Sequence, residues 1–355
     1  MDAHTDSRDA GAGSDAPVSP PPVPPAPPIP VTITANARAA TRVLSAPSAY
    51  PGMEELGSEA RAEILFSGRI LPLLGWQMGI VGLYGTGLAP GANRLALLDI
   101  IGKLELAPAF QLWMGRMPVV SDRASLGAYA TNLAWTPLGT FSPSSGSVGL
   151  RRGTDQRGTG AVAWGQLGTL TYHLGTYDPE TVGPGFLISG RLALTLGGEE
   201  SGFYRPSSYY GGKGIFSVAM FAQYQRFGSF SALGHDAFKA LGFDVYAELG
   251  DEVTGVLDWE ASFAKFWGDY EPVDYVASSQ LAYLLPVEIG PGRFQTVLRG
   301  QYGHGVRDED RLLFDGQLGY VLAGPRARVL GMYQYGKIPA GKVNLVLFGF
   351  QVATN

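Results

Sequence analysis

Four histidines, at His4, His173, His235 and His304, are too scattered to supply the paired spacing of a zinc site. Cysteine is absent, which removes thiolate ligands and disulfides together. No G-x-S-x-G nucleophile elbow occurs. The Gly-rich stretches YGTGLAPG from Tyr84 and GTGAVAWG from Gly158 lack the spacing of a dinucleotide or phosphate loop and read as strand glycines and turns. VRDEDR around Asp308 supplies oxygens for a divalent cation, but not at EF-hand spacing, and reads first as a solvated loop. The expectation is therefore no catalytic residue, no cofactor and no resident metal, with His173 on the polar face of a strand.

Other charged residues form a pattern, because they recur at every second position against apolar neighbours. Arg61 and Arg69 fall on one such stretch, Arg191 near mid-chain, Arg293 and Arg299 late, and Arg328 near the end. The acids Asp244 and Glu248, then Asp258 and Glu260, fall on two further stretches. Charges of both signs on the inner wall of a tube focus field lines and orient dipolar or charged solutes. The plainer alternative is that they are solvated lining charges without selectivity.

The elements that position these charges are short alternating strands. ARAEILFSGRI sets Ala62, Ile64, Phe66 and Ile70 against Arg61, Glu63, Ser67 and Arg69. FLISGRLALTL, ALGFDVYAEL, FQTVLRGQYG and LLFDGQLGYVL repeat the alternation, as does GTLTYHLGTYD around His173. Ile70 to Pro90 carries no charge and is long enough for a membrane helix, but its glycines, Pro72 and Gln77 favour a strand with Trp76, Met78, Ile80 and Tyr84 on one face. About sixteen such segments lie between Arg61 and Val352. The expected fold is all-β: a transmembrane antiparallel β-barrel of about 16 strands, a size that leaves a water-filled lumen. IGPGR and LAGPRA read as tight turns, and GGEESGFYRPSSYYGGKG and GVRDEDR as longer loops gathered on one side. If the first strand holds Arg61, barrel closure brings Arg328 near Arg61 and Arg69, and leaves the acids in another sector.

The segment Phe110 to Trp135 breaks the rhythm. It opens as a strand, and after Pro118 becomes a long polar, small-residue stretch expected to fold into the lumen as a constriction, with Arg116, Asp122 and Arg123 as its charges. Strict alternation from Leu112 and Met114 points Arg116 at lipid, so a strand end or a bulge at Gly115 is expected there.

Composition agrees with a lipid-facing wall. The chain has 50 glycines, 11% aromatic and only 16% charged residues, against about 25% charged in soluble domains. Mean hydropathy is +0.06, as alternation demands. A net charge of −5 disfavours nucleic acid. Residues 1–50 read as a largely disordered, Pro-rich arm with a polyproline run, PVSPPPVPPAPPIP, and an ambiguous stretch from Val31 in which ANARAATRVL suits a short helix. Residues 51–355 are assigned to the barrel. The arm offers a contact to cell wall or a partner protein. The N-terminus lacks signal-peptide features, so the sequence is taken as a mature form destined for the bacterial outer membrane.

WMGRMPVVSDRASLGAY, followed by LRRGTDQRGTGAVAWGQLGTLTYHLGTYD, resembles the phosphate-selective porin O/P-like family of bacterial outer-membrane porins. The matching residues are Gly115-Arg116, Pro118, Ser121-Asp122-Arg123, Asp155, Arg157-Gly158, Trp164-Gly165, Tyr172 and Gly175. The resemblance implies a homotrimer of sixteen-stranded barrels with an inward-folded constriction. Two departures stand out. The chain ends beyond Phe348 and Phe350 instead of on an aromatic residue, and it lacks the family's arginine ladder and lysine cluster, so phosphate selectivity is not carried over.

The expected function is a porin: a water-filled channel in outer-membrane lipid for passive diffusion of small hydrophilic solutes or ions, and no enzyme. A structural or adaptor barrel that houses or anchors a partner is the alternative, and a barrel enzyme a weaker one. Arg123→Ala is expected to alter charge selectivity more than Arg205→Ala in an exposed loop.

Overall fold

A computed structural model describes residues 30–45, 54–85, 93–127, 132–135, 150–151, 156–178, 185–226, 237–268, 273–305, 310–339 and 341–354. Sixteen antiparallel strands close into one barrel. They are β1 Val31–Ser45, β2 Glu54–Leu71, β3 Leu74–Gly85, β4 Arg94–Ala107, β5 Phe110–Pro118, β6 Arg157–Leu167, β7 Leu170–Asp178 and β8 Leu187–Gly197. The second half runs β9 Ile215–Gln225, β10 Phe238–Asp251, β11 Gly255–Trp267, β12 Val273–Ile289, β13 Gly292–Gly305, β14 Arg311–Val321, β15 Ala327–Ile338 and β16 Gly341–Ala353. Each strand pairs with its sequence neighbours, and β1 pairs with β16 to complete the ring.

Period-two alternation decides which side chain meets which medium. Along β8, Ser189 and Arg191 are buried in the lumen while Ile188, Leu192, Leu194 and Leu196 are exposed on the outer face. β10 repeats this with Asp244, Tyr246 and Glu248 inside and Leu241, Phe243 and Leu249 outside. Phe348 and Phe350 keep the outward parity on β16. The charge-free stretch from Ile70 is no helix: β2 ends at Leu71, a tight turn follows, and Trp76, Met78, Ile80 and Tyr84 share the outer face of β3.

Three expectations change. The barrel starts at Val31, so the boundary near residue 50 is misplaced, and ANARAATRVL is strand, not helix. Its outward residues Ala35, Ala37 and Ala39 are small, which blurs the alternation; pairing with both β2 and β16 fixes the strand regardless. Arg61 and Arg69 consequently sit on the second strand. Arg328, on β15, is separated from them by β16 and β1. Finally, long connections are not all on one side. The hairpins β2–β3, β4–β5, β6–β7, β10–β11 and β12–β13 turn tightly at one end of the barrel, here the turn end, and the β14–β15 connection also lies there. The β8–β9 connection, residues 198–214, leaves from that same end and enters the lumen instead of extending from the opposite rim. The Pro-rich run, most of VRDEDR and most of YGTGLAPG lie outside the described residues.

Candidate functional site in the barrel lumen

From the end opposite the tight turns, the chain leaves β5 at Pro118, which has no N–H to offer β4, while Val119 makes one last ladder bond to the Gln156 carbonyl at 3.2 Å. Val119, Val120 and Leu126 are fully buried inside the barrel. The Val120 carbonyl accepts from the Ser189 hydroxyl on β8. Asp122 caps a single 3-10 turn, Arg123–Leu126, by accepting from the Ser125 amide at 3.3 Å. The Arg123 amide donates to Asp244 Oδ2 at 3.1 Å, and its guanidinium lies 3.8 Å from the centre of the Tyr246 ring.

Residues 132–135 meet a different part of the wall. Arg328 donates to the Leu133 carbonyl at 2.8 Å, Gln317 to the same oxygen at 3.0 Å, and Arg38 to the Trp135 carbonyl at 2.7 Å. Trp135 Nε1 donates to Glu59 Oε1 at 2.6 Å. The segment after Pro118 thus touches β8 and β10 over residues 120–123 and β1, β2, β14 and β15 over residues 133–135.

Residues 198–214 come from the turn end and meet it. Their base is closed by Gly198 N–H donating to the Gly214 carbonyl at 2.7 Å. Gly197 has φ +85°, and a Cβ there would stand 2.2 Å from the Gly214 oxygen, so only glycine allows this entry. Within the lumen Glu200 accepts from Arg123 Nη2 at 2.6 Å and from the Tyr209 hydroxyl at 2.6 Å, with Arg205 Nε 3.4 Å from its other oxygen. Burial works to raise the Glu200 pKa, but the Arg123 and Arg205 charges and the two hydrogen bonds overcome it and hold the carboxyl at about 2. Arg123 also donates to the Pro206 carbonyl at 2.7 Å, and the Arg205 amide to the Leu126 carbonyl at 3.0 Å. Glu248 on β10 receives the Tyr209 and Lys213 amides. We call residues 198–214 the strap.

The strap also inserts Phe203 against the wall. Its ring stacks on Trp113 of β5 (centroids 4.6 Å) and meets Trp164 of β6 and His173 of β7 edge-on at 5.6 and 5.1 Å. A cavity of about 240 Å³ remains beside β1, β2 and β4, lined in part by Asn36, Glu63, Asp99, Arg157 and Tyr204.

Of the charges expected inside, Asp122, Arg123, Arg61, Arg191, Arg299, Arg328, Asp244, Glu248, Asp258 and Glu260 are all buried. Arg69 and Arg293 keep the inward parity of their strands but stand near the turn end, where Arg69, 64% exposed, pairs with Glu105 and Arg293 with Glu288. Arg116 stays on the outward parity, opposite Ile100 and Thr159 near the end of β5, with no bulge at Gly115. Gly115 itself has φ +127° and passes so close to the Ile100 oxygen that a Cβ would stand 1.9 Å away.

The acids do gather in one sector, with Glu248 directly opposite Asp258 on β10 and β11 and Glu260 one step along, whereas several arginines sit against acids of their own. Arg191 pairs with Asp244, Arg299 with Asp315, and Arg61 with Glu63, so each guanidinium is neutralised locally. Arg205 is 1% exposed in the middle of the lumen, and the exposed loop expected for it is the strap. The sequence reading also passed over Glu200, Phe203, Asp99 and its partner role toward Arg157. Two signals were available: Gly-Gly pairs at both ends of the strap, and a Phe-Tyr pair in an otherwise polar connection.

Solved structures resemble this arrangement at low sequence identity. The high-pH structure of Pseudomonas putida OprB matches with TM-score 0.68 and 9% identity, over 91% of this chain and 94% of that one. The anion-selective porin from Comamonas acidovorans matches with TM-score 0.60 and 14% identity, over 92% and 100%. OmpT, an outer membrane protein of Vibrio cholerae, matches in its trimer form with TM-score 0.55 and 13% identity, over 91% and 99%. The fold is a porin fold. No protein-family model and no curated protein matches the chain.

Proposed function

We propose that this chain forms a channel in the bacterial outer membrane for passive diffusion of small hydrophilic solutes or ions, and that the segment after Pro118 and the strap together set its constriction. The observation that carries this reading is the closed sixteen-strand wall, apolar outside and charged inside. Such a wall is stable in lipid because no strand edge is left unpaired. The anion-selective porin among the similar structures supports the channel, and the outer-membrane OmpT trimer supports both the location and a homotrimer. The motifs around Gly115-Arg116 and Ser121-Asp122-Arg123 support kinship with the O/P-like porins, without phosphate selectivity. Arg123 is held by Glu200, and Arg61, Arg191 and Arg299 by acids of the wall, so selectivity is modest. Purified protein in planar bilayers is expected to conduct in steps of three, with a small reversal potential in a salt gradient. A protein that never conducts ends this reading.

One observation favours a second reading, a structural or adaptor barrel. The Arg299 and Asp315 side chains are both 0% exposed, so solvent does not reach this part of the inner wall in this state. Co-purification of a stoichiometric second subunit with a non-conducting barrel selects that alternative.

A further inference from the structure

We propose that the lumen face of β5, β6 and β7 is a stacking site for a flat aromatic carboxylate, and that Phe203 of the strap fills it in this state. The proposal deepens the channel reading and rests on it for its biological setting. Trp164 and His173 face each other directly across β6 and β7, and Trp113 lies one diagonal step away on β5. Their rings form a connected cluster. Trp113 meets Trp164 edge-on at 5.4 Å, and Trp164 stacks on His173 at 5.9 Å with 9° between planes. Phe203 lies within ring-contact distance of all three and is parallel to Trp113 within 25°.

Phe203 satisfies the faces of these rings but not their polar atoms. Trp113 Nε1, Trp164 Nε1 and both nitrogens of His173 are buried without a hydrogen-bond partner, and so is Nη1 of Arg191, which stands opposite His173 on β8. Buried groups of this kind are rare and call for an occupant that completes them. A hydrocarbon ring has no acceptor for them. A ring of the same size carrying a carboxylate has two oxygens. Donors stand on both sides of the cluster: the Lys103 ammonium lies 4.1 Å from the Trp113 ring centre, held by the Gln77 oxygen at 2.8 Å, and Arg191, paired with Asp244 through Nε and Nη2, keeps Nη1 for a ligand oxygen. Phe203 therefore acts as a built-in competitor on a segment with glycine pairs at both ends, Gly197-Gly198 and Gly211-Gly212. A competitor that occupies the site most of the time lowers the apparent affinity by the vacant fraction.

The test is equilibrium binding of benzoate to full-length protein in detergent micelles, by titration calorimetry, with cyclohexanecarboxylate as the saturated control. Phe203→Ala is expected to bind benzoate at least about tenfold more tightly than the wild type, because the competitor is gone. It should also prefer benzoate to the control, and adding Trp113→Leu should abolish that preference. If Phe203→Ala does not fold, Phe203→Leu keeps apolar bulk without the flat ring and should show the same preference. Equal binding of the two acids, or binding of neither by the folded variants, overturns the site and leaves Phe203 as a packing anchor. The readout needs no current. A barrel that conducts but binds neither acid overturns the site alone, and one that binds benzoate but never conducts overturns the channel alone.

Discussion

Arg299 and Asp315 face each other across β13 and β14 with neither side chain reached by water. Removing one partner leaves the other charge buried without compensation, so Arg299→Ala is expected to cost about 3–5 kcal/mol in unfolding measured in detergent. Arg69→Ala, at a residue mostly exposed near the turn end, is expected to cost no more than about 1 kcal/mol. Similar losses at both positions would contradict the dry pair. Glu200 makes a prediction about pH. Its carboxyl is held at about 2, below the usual value near 4.3 for an unfolded chain. The stabilisation from Glu200 is therefore complete above about pH 4.3 and is lost as the pH falls toward 2. Thermal midpoints of wild type and Glu200→Gln should differ most at neutral pH and converge near pH 2. Parallel curves would show that Glu200 titrates normally.

At the scale of elements, the strap is the part of the fold that changes most what the barrel can do. Its base is closed by the Gly198–Gly214 hydrogen bond, so excising residues 199–213 and joining these glycines leaves β8 and β9 in register. The excision is expected to raise single-channel conductance several-fold while the barrel still folds; unchanged conductance would mean that the strap does not narrow the path. The strands were legible because burial contrast repeats every second residue, as with Leu241, Phe243 and Leu249 against Asp244, Tyr246 and Glu248. The strap was not, because a polar connection has the same composition whether it faces water outside or lines a polar lumen. Arg205 illustrates this. The Arg205–Glu200 pair lies within GGEESGFYRPSSYYGGKG itself, but nothing in that stretch states that the Arg205 amide meets the Leu126 carbonyl, a contact with a distant segment inside the barrel. Arg116 shows the reverse case: alternation placed it on the outer parity, and of the two ways out, a strand end or a bulge at Gly115, it takes the strand end.

For the molecule as a whole, sixteen strands and the inside-out polarity were legible, but the first strand was not. β1 puts only the small Ala35, Ala37 and Ala39 outward along its middle, where contrast with the inner face is weakest, and an extra strand was credited to the stretch after Arg61 instead. Truncation separates the two views of the N-terminus. Removing residues 1–29 leaves every strand and is expected to give a folded barrel, whereas removing residues 1–45 deletes β1 and should abolish heat-resistant assembly. A folded product from the longer truncation would contradict the β1–β16 pairing.

That pairing also orders events in time. The Ala35 amide bonds the Thr354 hydroxyl across 319 positions of sequence, whereas the other strand pairs join neighbours in the chain. The loop-closure entropy of such a contact is the largest in the molecule, and it is repaid only once the last strand exists. Until then the sheet grows hairpin by hairpin with two raw edges, β1 at one side and the newest strand at the other. The interval before the seam zips is when this chain is most open to pairing with the wrong neighbour, so factors that shield free strand edges should act on its N-terminal strand first.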